Sequence, residues 1–175
     1  MTTTVIIGNI ISFIAALFMV ASCLARSKRK IFFYQGLECF ILAGSSAVLG
    51  SFAGTVTLLL CAVRNVFIAK NVFSKPIMWT FVLLTVIIGG WVNALGLLGL
   101  IPIIATVQYT FCSHYITSVK GTKYSIFVNV LMWVVYSFMI FDFSTAISDV
   151  IILVIDAVDI FRIHREERRA AAANI

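Results

Sequence analysis

The chain has 175 residues, of which 62% are hydrophobic and only 11% are charged. Soluble domains are roughly 45–50% apolar and about 25% charged, so this composition excludes a soluble protein and indicates an integral membrane protein. The net charge of +6 arises from short basic clusters beside apolar segments. That arrangement is typical of membrane topology, and it argues against nucleic acid as a partner.

Seven apolar segments follow one another along the chain, each close to the length that a membrane-spanning helix needs. They cover residues 4–24, 31–49, 52–69, 77–91, 100–117, 124–141 and 144–164. Pro76 and Pro102 are placed for the first turns of the fourth and fifth segments, where proline is tolerated. The sequence therefore predicts an all-α membrane protein with seven transmembrane helices. They form a single transmembrane domain, residues 1–175, that ends in a basic cytoplasmic tail, residues 165–175.

The basic residues test this number of segments. If the N-terminus is outside, every Lys and Arg except Arg64 falls in an inner loop or in the inner C-terminal tail. Positively charged loops stay on the cytoplasmic side, whereas six spans would scatter these residues to both sides. The pattern predicts a multi-pass inner-membrane protein with its N-terminus outside and its C-terminus in the cytoplasm.

The first three segments and the last three look like copies of each other. Cys61-Ala-Val-Arg64 aligns with Asp156-Ala-Val-Asp159 at an offset of about 95 residues. The extra fourth segment gives both copies the same orientation, so the pattern predicts two parallel three-helix repeats. These would be residues 4–70 and 100–164, joined by a linker helix over residues 77–93. The alternative is that apolar helices resemble one another by composition alone.

Three short stretches carry a family resemblance: Ala62-Val-Arg64, Ile101-Pro-Ile-Ile-Ala105 and Asp156-Ala-Val-Asp-Ile-Phe-Arg162. With them, the chain resembles the superfamily of SWEET sugar carriers, PQ-loop proteins, nicotinamide riboside carriers and the KDEL receptor. Within that superfamily it is similar to the bacterial inner-membrane YgjV family. The resemblance implies a SWEET-like (MtN3-like) fold of three, one and three helices. The PQ dipeptide itself is absent.

Ionisable residues within the apolar segments are the first candidate site. A charge at the bilayer centre costs roughly 2.5–3.5 kcal/mol on insertion scales, so it needs a partner or a purpose. We expect Arg64 and Asp159 to form an ion pair across the two repeats, or a salt bridge that only orients the third and seventh helices. Glu38 and Asp156 would then be unpaired. A buried carboxyl favours its neutral form, which suits proton coupling or binding of a cationic solute. The alternative is a headgroup contact or a hydrogen bond to a neighbouring hydroxyl.

Uncharged polar residues in the segments are the second set of candidates. Asn65, Gln108 and Asn129 could line a solute or proton pathway together with Glu38 and Asp156. Each could equally serve interhelical hydrogen bonding, which is worth about 0.6 kcal/mol on average.

The sequence contains no nucleophile elbow, phosphate-binding loop, zinc motif or other catalytic pattern, so we expect no enzymatic activity, no cofactor and no metal. The leading hypothesis is a small-solute transporter or facilitator of unknown substrate with alternating access. A non-transporting membrane receptor or accessory protein of the same fold is the alternative. The expected partners are the lipid bilayer and an unknown small-molecule solute, and assembly as a homo-oligomer is left open.

Overall fold

The structure is a computed structural model that describes residues 3–24, 28–116 and 119–173. These residues form seven α-helices and no β-strand, which confirms the predicted all-α class. The helices are α1 (Thr3–Leu24), α2 (Lys28–Val48), α3 (Phe52–Ala69), α4 (Lys75–Trp91), α5 (Leu100–Tyr115), α6 (Val119–Met139) and α7 (Phe143–Ala173).

Several helices extend past the apolar segments that predicted them. α2 begins at Lys28 and α6 at Val119, and α7 continues to Ala173, well beyond residue 164. Backbone hydrogen bonding within a helix does not stop where apolar side chains stop. The last turns of α7 are rich in Arg, Glu and Ala, which favour helix. The basic tail is therefore helical as far as the structure describes it.

Three helices are long and apolar enough to cross a membrane by length and composition, and their candidate spans are Thr3–Ser22, Arg29–Val48 and Phe52–Ala69. Lys75–Trp91 and Tyr124–Met139 are shorter apolar helices. Large apolar side chains face outward, with Phe40, Ile87 and Phe161 more than 60% exposed, whereas the hydroxyls of Ser12 and Thr57 are fully buried. A polar interior beneath an apolar surface suits a protein whose surroundings are lipid.

The helices pack as a ring with one helix attached to it. Along the ring, α1 contacts α2, α2 contacts α3, α3 contacts α5, α5 contacts α6, α6 contacts α7, and α7 returns to α1. α4 packs against α3 and α5, which also contact each other. Cys61 contacts Thr106, and Arg64, further along α3, contacts Thr110, further along α5. The two helices therefore run parallel.

Several helix boundaries lie 91 residues apart along the chain. α6 begins at Val119, 91 residues after Lys28 begins α2, and it ends at Met139, 91 residues after Val48 ends α2. α7 likewise begins 91 residues after α3. This interval differs from the predicted offset of about 95, which aligned two similar Ala-Val dipeptides, and the repeat itself stays a prediction. At the observed interval Arg64 corresponds to Ile155 and Asn65 to Asp156.

The turns before α3 and α7 repeat in detail. Gly50 and Phe141, 91 residues apart, both have positive φ, at 78° and 63°. The next residue is the N-cap: the Ser51 hydroxyl accepts a hydrogen bond from the Gly54 N–H, and the Asp142 carboxylate accepts one from the Thr145 N–H at 3.1 Å. A side-chain oxygen at this position satisfies an N–H group that the helix leaves free.

Both N-cap residues also hold a more distant helix. Ser51 hydrogen-bonds the hydroxyl of Tyr136 in α6. The Ser12 hydroxyl in α1 donates its proton to the Asp142 carboxylate at 2.6 Å, and its oxygen lies 2.7 Å from the Ser45 hydroxyl of α2. These buried bonds join the first half of α1 and the starts of α3 and α7 to the last turns of α2 and α6.

Candidate functional site

A cavity of about 80 Å³ lies at the centre of the helix ring. Its walls come from α1, α2, α3, α5, α6 and α7, and no residue of α4 contributes. The lining residues are Met19, Gln35, Glu38, Cys39, Leu42, Leu58, Cys61, Arg64, Asn65, Tyr109, Ile126, Asn129, Val130, Trp133, Thr145 and Asp149. In this conformation the cavity has room for a few water molecules.

The lining residues match one another across the 91-residue interval. Five equivalent pairs face the cavity: Gln35 and Ile126, Glu38 and Asn129, Cys39 and Val130, Leu42 and Trp133, and Leu58 and Asp149. The first member of each pair lies in α2 or α3 and the second in α6 or α7. Ten of the lining residues thus stand 91 positions apart in two groups of three helices, α1–α3 and α5–α7, which are called units here, and the paired side chains differ chemically.

Each unit also has a small apolar core of its own. Ala15, Leu42, Ala43 and Leu58 form a buried cluster in α1–α3, against which Trp133 of α6 packs. A second cluster combines Val130, Val134 and Ile152 of α6 and α7, and Met19 of α1 packs against it. Trp133 and Met19 thus bridge the two units, and both line the cavity.

Arg64 is the buried cation of the site, with only 2% of its surface exposed. Its guanidinium donates hydrogen bonds to the Thr110 hydroxyl at 2.9 Å and to the Asn65 side-chain carbonyl at 3.2 Å. It also lies over the ring of Tyr109, 4.9 Å from the centroid, which is a favourable cation–π position. The Arg64 Nε has no hydrogen-bond partner among the described residues. In its described contacts, the Arg64 guanidinium is therefore bound by neutral side chains of α3 and α5.

Two carboxyl groups line the cavity, Glu38 from α2 and Asp149 from α7. Glu38 is about 15 Å along α2 from Val48, and Asp149 is about 9 Å along α7 from Phe143. The Cys39 thiol donates a hydrogen bond to the Glu38 carboxylate at 3.5 Å. Within the described residues, the Asp149 carboxylate accepts no hydrogen bond.

Three of the residues predicted for the pathway meet in the cavity: Glu38, Asn65 and Asn129. The interhelical hydrogen bonding proposed for them as an alternative also occurs, because the Asn129 amide donates to the Ala105 carbonyl of α5 at 2.8 Å. The Asn129 side chain therefore both lines the cavity and bonds a neighbouring helix.

Gln108 and Asp156 are not among the cavity-lining residues. Gln108 donates to Ser125 of α6 at 3.2 Å, and its side-chain carbonyl is buried without a partner among the described residues. Asp156 is buried and has an interaction of its own. A pathway role for these two residues stays a prediction. The predicted Arg64–Asp159 ion pair also stays one, because the Asp159 side chain lies outside the described part of the structure.

Sequence reasoning missed Gln35, Tyr109, Trp133 and Asp149 as site residues. Asp149 lies seven residues before Asp156 on α7, so helical spacing placed it on the same stripe, but nothing in the sequence showed that the stripe faces a cavity at that level. The 91-residue interval would have helped, because it pairs Asp149 with Leu58 and Trp133 with Leu42.

The cavity also contains two thiols, Cys39 and Cys61, both free. Cys61 is 3.6 Å from the Thr106 hydroxyl, and the Asn65 amide is 3.9 Å from the Cys39 sulfur. In the described part of the chain, no three His, Cys, Asp or Glu side chains are grouped as metal ligands would be.

Comparison with protein families shows which family the chain belongs to. The model of the Imp-YgjV family, described as a bacterial inner membrane protein, matches residues 6–167. The chain belongs to the Imp-YgjV family. The matched range covers α2, α3, α5 and α6 in full and most of α1 and α7, so this Imp-YgjV member is a bacterial inner membrane protein with a polar cavity among its helices. Neither the curated proteins nor the solved structures contain a match to the chain.

Proposed function

We propose that this Imp-YgjV protein is a small-solute transporter or facilitator of the bacterial inner membrane. Its central cavity would open alternately to the two sides of the membrane. All seven helices would span the bilayer, with the N-terminus outside and the C-terminus in the cytoplasm, as the distribution of Lys and Arg predicts.

One observation carries this proposal: the cavity lies between two three-helix units and is lined by equivalent positions of both. Carriers built from repeats bind their solute at the interface between the repeats, near the middle of the membrane. The cavity contains charged, amide, hydroxyl and aromatic groups, the mixture that orients a small polar ligand.

The packing supports a rocking motion of the two units. α1–α3 and α6–α7 have separate apolar clusters, and the helices that pack between units are α1 with α7 and α3 with α5. Single side chains add to these contacts: Trp133, Met19 and the Ser51–Tyr136 hydrogen bond. We propose that this is a SWEET-like arrangement of three, one and three helices, in which two parallel repeats are joined by α4. The parallel course of α3 and α5 supports equal orientation of the units.

The topology can be tested separately from transport. A reporter that is active only in the cytoplasm, fused after Ile175, should be active, whereas a reporter that is active only in the periplasm should be silent there. The reverse result would contradict the orientation. It would also remove the basis for assigning the Lys- and Arg-rich loops to the inner side.

Transport is tested by uptake of radiolabelled sugars, nucleosides, amines and amino acids into proteoliposomes. Leu42→Trp, which fills the cavity from α2, should abolish uptake of the transported solute. Phe40→Trp, on the exposed face of the same helix, should leave uptake unchanged. Thermal unfolding of both variants checks that they fold. Equal uptake by the two folded variants would contradict the cavity as the route.

The small volume of the cavity favours one alternative, a receptor or accessory protein that binds a ligand without moving it. Such a protein would show a shift in thermal unfolding with its ligand but no uptake of that ligand into proteoliposomes. A solute that gives both the shift and the uptake supports the transporter.

A further inference from the structure

The Glu38 and Asp149 carboxyls face one cavity from opposite three-helix units. Their equivalents at the 91-residue interval are neutral: Asn129 corresponds to Glu38, and Leu58 to Asp149. Each unit therefore contributes one acid to the cavity. Their described contacts leave the hydrogen-bonding capacity of both carboxyls almost unused, since only the Cys39 thiol approaches Glu38, at 3.5 Å.

Among the described residues, Arg64 is the only basic one that lines the cavity with these acids. Its guanidinium is committed to Thr110, Asn65 and the ring of Tyr109, and its buried Nε is unpartnered among the described residues. Buried charge must be compensated nearby or it becomes very costly. Arg64 can balance one ionised acid across the cavity, and the second acid requires one more positive charge.

In the part of the chain that the structure describes, the groups around the pair do not supply that charge. The titratable and charged groups that face Glu38 or Asp149 are Asp142 on the α6–α7 turn, Cys39 on α2, Cys61 and Arg64 on α3, and Tyr109 on α5. The lining residues of α1 and α6 are not titratable. Asp156 lies further along α7, outside the cavity lining. The missing charge must therefore come from a proton or from a bound cation.

We propose that the Glu38–Asp149 pair binds a small monovalent ammonium-type cation, such as ammonium or a short alkylammonium ion, in exchange for a proton. No covalent bond other than the carboxyl O–H changes: the cation enters, the proton leaves for water, and the charge of the site is conserved. The N–H groups of the cation hydrogen-bond to the two carboxylates. The rings of Trp133 and Tyr109 line the same space, and aromatic faces attract such cations.

This inference names the substrate class of the proposed transporter and rests on that function for the transport step. The cavity volume of about 80 Å³ limits the cation to a few heavy atoms in this conformation. Because one acid comes from each unit, a bound cation would hold the units together. Its exchange for a proton would link rocking of the units to proton movement.

The test is calorimetric titration of the purified full-length protein in detergent with methylammonium. Two buffers of different protonation enthalpy report how many protons are released. The wild-type protein should release close to one proton per cation bound, and its affinity should increase with pH because fewer protons compete. Glu38→Gln and Asp149→Asn should each weaken binding at least tenfold and abolish proton release.

Glu166→Gln, which removes an exposed carboxylate from α7, is the matched control and should bind like wild type. Methanol, a neutral molecule of similar size, should not bind. If methylammonium binds equally well to wild type and to a folded Glu38→Gln, Asp149→Asn double variant, the proposal is overturned. Because folding of variants can fail, the wild type gives a second test: binding without proton release over pH 5–9 would overturn the exchange.

The two proposals fail in different ways. Methylammonium binding with proton release, but without uptake into proteoliposomes, would contradict the transporter and support the cation site. Uptake of another solute that is unchanged by Glu38→Gln and Asp149→Asn, with no methylammonium binding to the wild type, would overturn the cation site and support the transporter.

Discussion

The Arg64 guanidinium donates a hydrogen bond to the Thr110 hydroxyl at 2.9 Å, and that hydroxyl donates in turn to the Thr106 carbonyl at 2.6 Å. This chain of bonds fixes α3 to α5, the direct contact between the two units on the side where α4 packs. A hydrogen bond to a charged group contributes more than one between neutral groups. Arg64 therefore both places a charge in the cavity and links the two units by a hydrogen bond.

Thr110→Val should destabilise the protein because it leaves a buried guanidinium with one partner fewer. We expect the free energy of unfolding to fall by about 1.5–3 kcal/mol, measured by reversible unfolding in mixed micelles. Thr80→Val is the control, since its hydroxyl is exposed and bonds only the Pro76 carbonyl of its own helix. That change should stay within about 0.5 kcal/mol. Equal effects at the two positions would contradict a stabilising role of the Arg64–Thr110 hydrogen bond.

Ser51 and Tyr136 should be energetically coupled through their buried hydrogen bond. Tyr136→Phe should cost about 0.5–1.5 kcal/mol of unfolding free energy, and Ser51→Ala about 0.5–2 kcal/mol because α3 also loses its N-cap. The double variant should cost less than the sum, since both changes remove one bond. Strict additivity would show that the two hydroxyls act independently. Tyr115→Phe, at an exposed position, should be close to neutral.

Replacing Asp142 by serine should destabilise the protein less than replacing it by alanine. Ser51 caps α3 at the equivalent position, so Asp142→Ser keeps an oxygen for the Thr145 N–H. We expect Asp142→Ala to lower the free energy of unfolding by about 1.5–3 kcal/mol and Asp142→Ser by about 1 kcal/mol less. Ser148→Ala, whose hydroxyl bonds its own helix, controls for loss of a hydroxyl. A serine variant no better than alanine would contradict the equivalence of the two turns.

Two glycines at the end of α2 should respond oppositely to alanine. Gly50 has φ of 78°, a conformation that costs an L-residue about 1–2 kcal/mol, so Gly50→Ala should destabilise by that order. Gly44 lies within α2 with open space at its Cβ position, and Gly44→Ala should stabilise by about 0.5–1 kcal/mol because alanine favours helix. Both are measured by thermal unfolding in detergent. Changes of the same sign would be the contrary result.

The membrane class, the helices and their order could be predicted because they depend on local properties. A bilayer leaves backbone N–H and C=O groups without water, so an apolar segment of sufficient length must satisfy them within a helix. Residues 52–69 were predicted as a span, and α3 has the same bounds. Helix ends were less accurate at α2, α6 and α7, because polar residues extend a helix beyond the apolar core.

By itself, the sequence determined an inner-membrane helical protein with charges that need compensation within the bilayer. Only the tertiary structure decided which charges meet. It placed the bounds of α2 and α6 91 residues apart, tied Arg64 to Thr110 and Asn65, and brought Asp149 into the cavity with Glu38. The reason is geometric: spacing along a helix fixes which residues share a stripe. Which way that stripe faces is set by the rotation of each helix against its neighbours, through contacts between residues far apart in the chain.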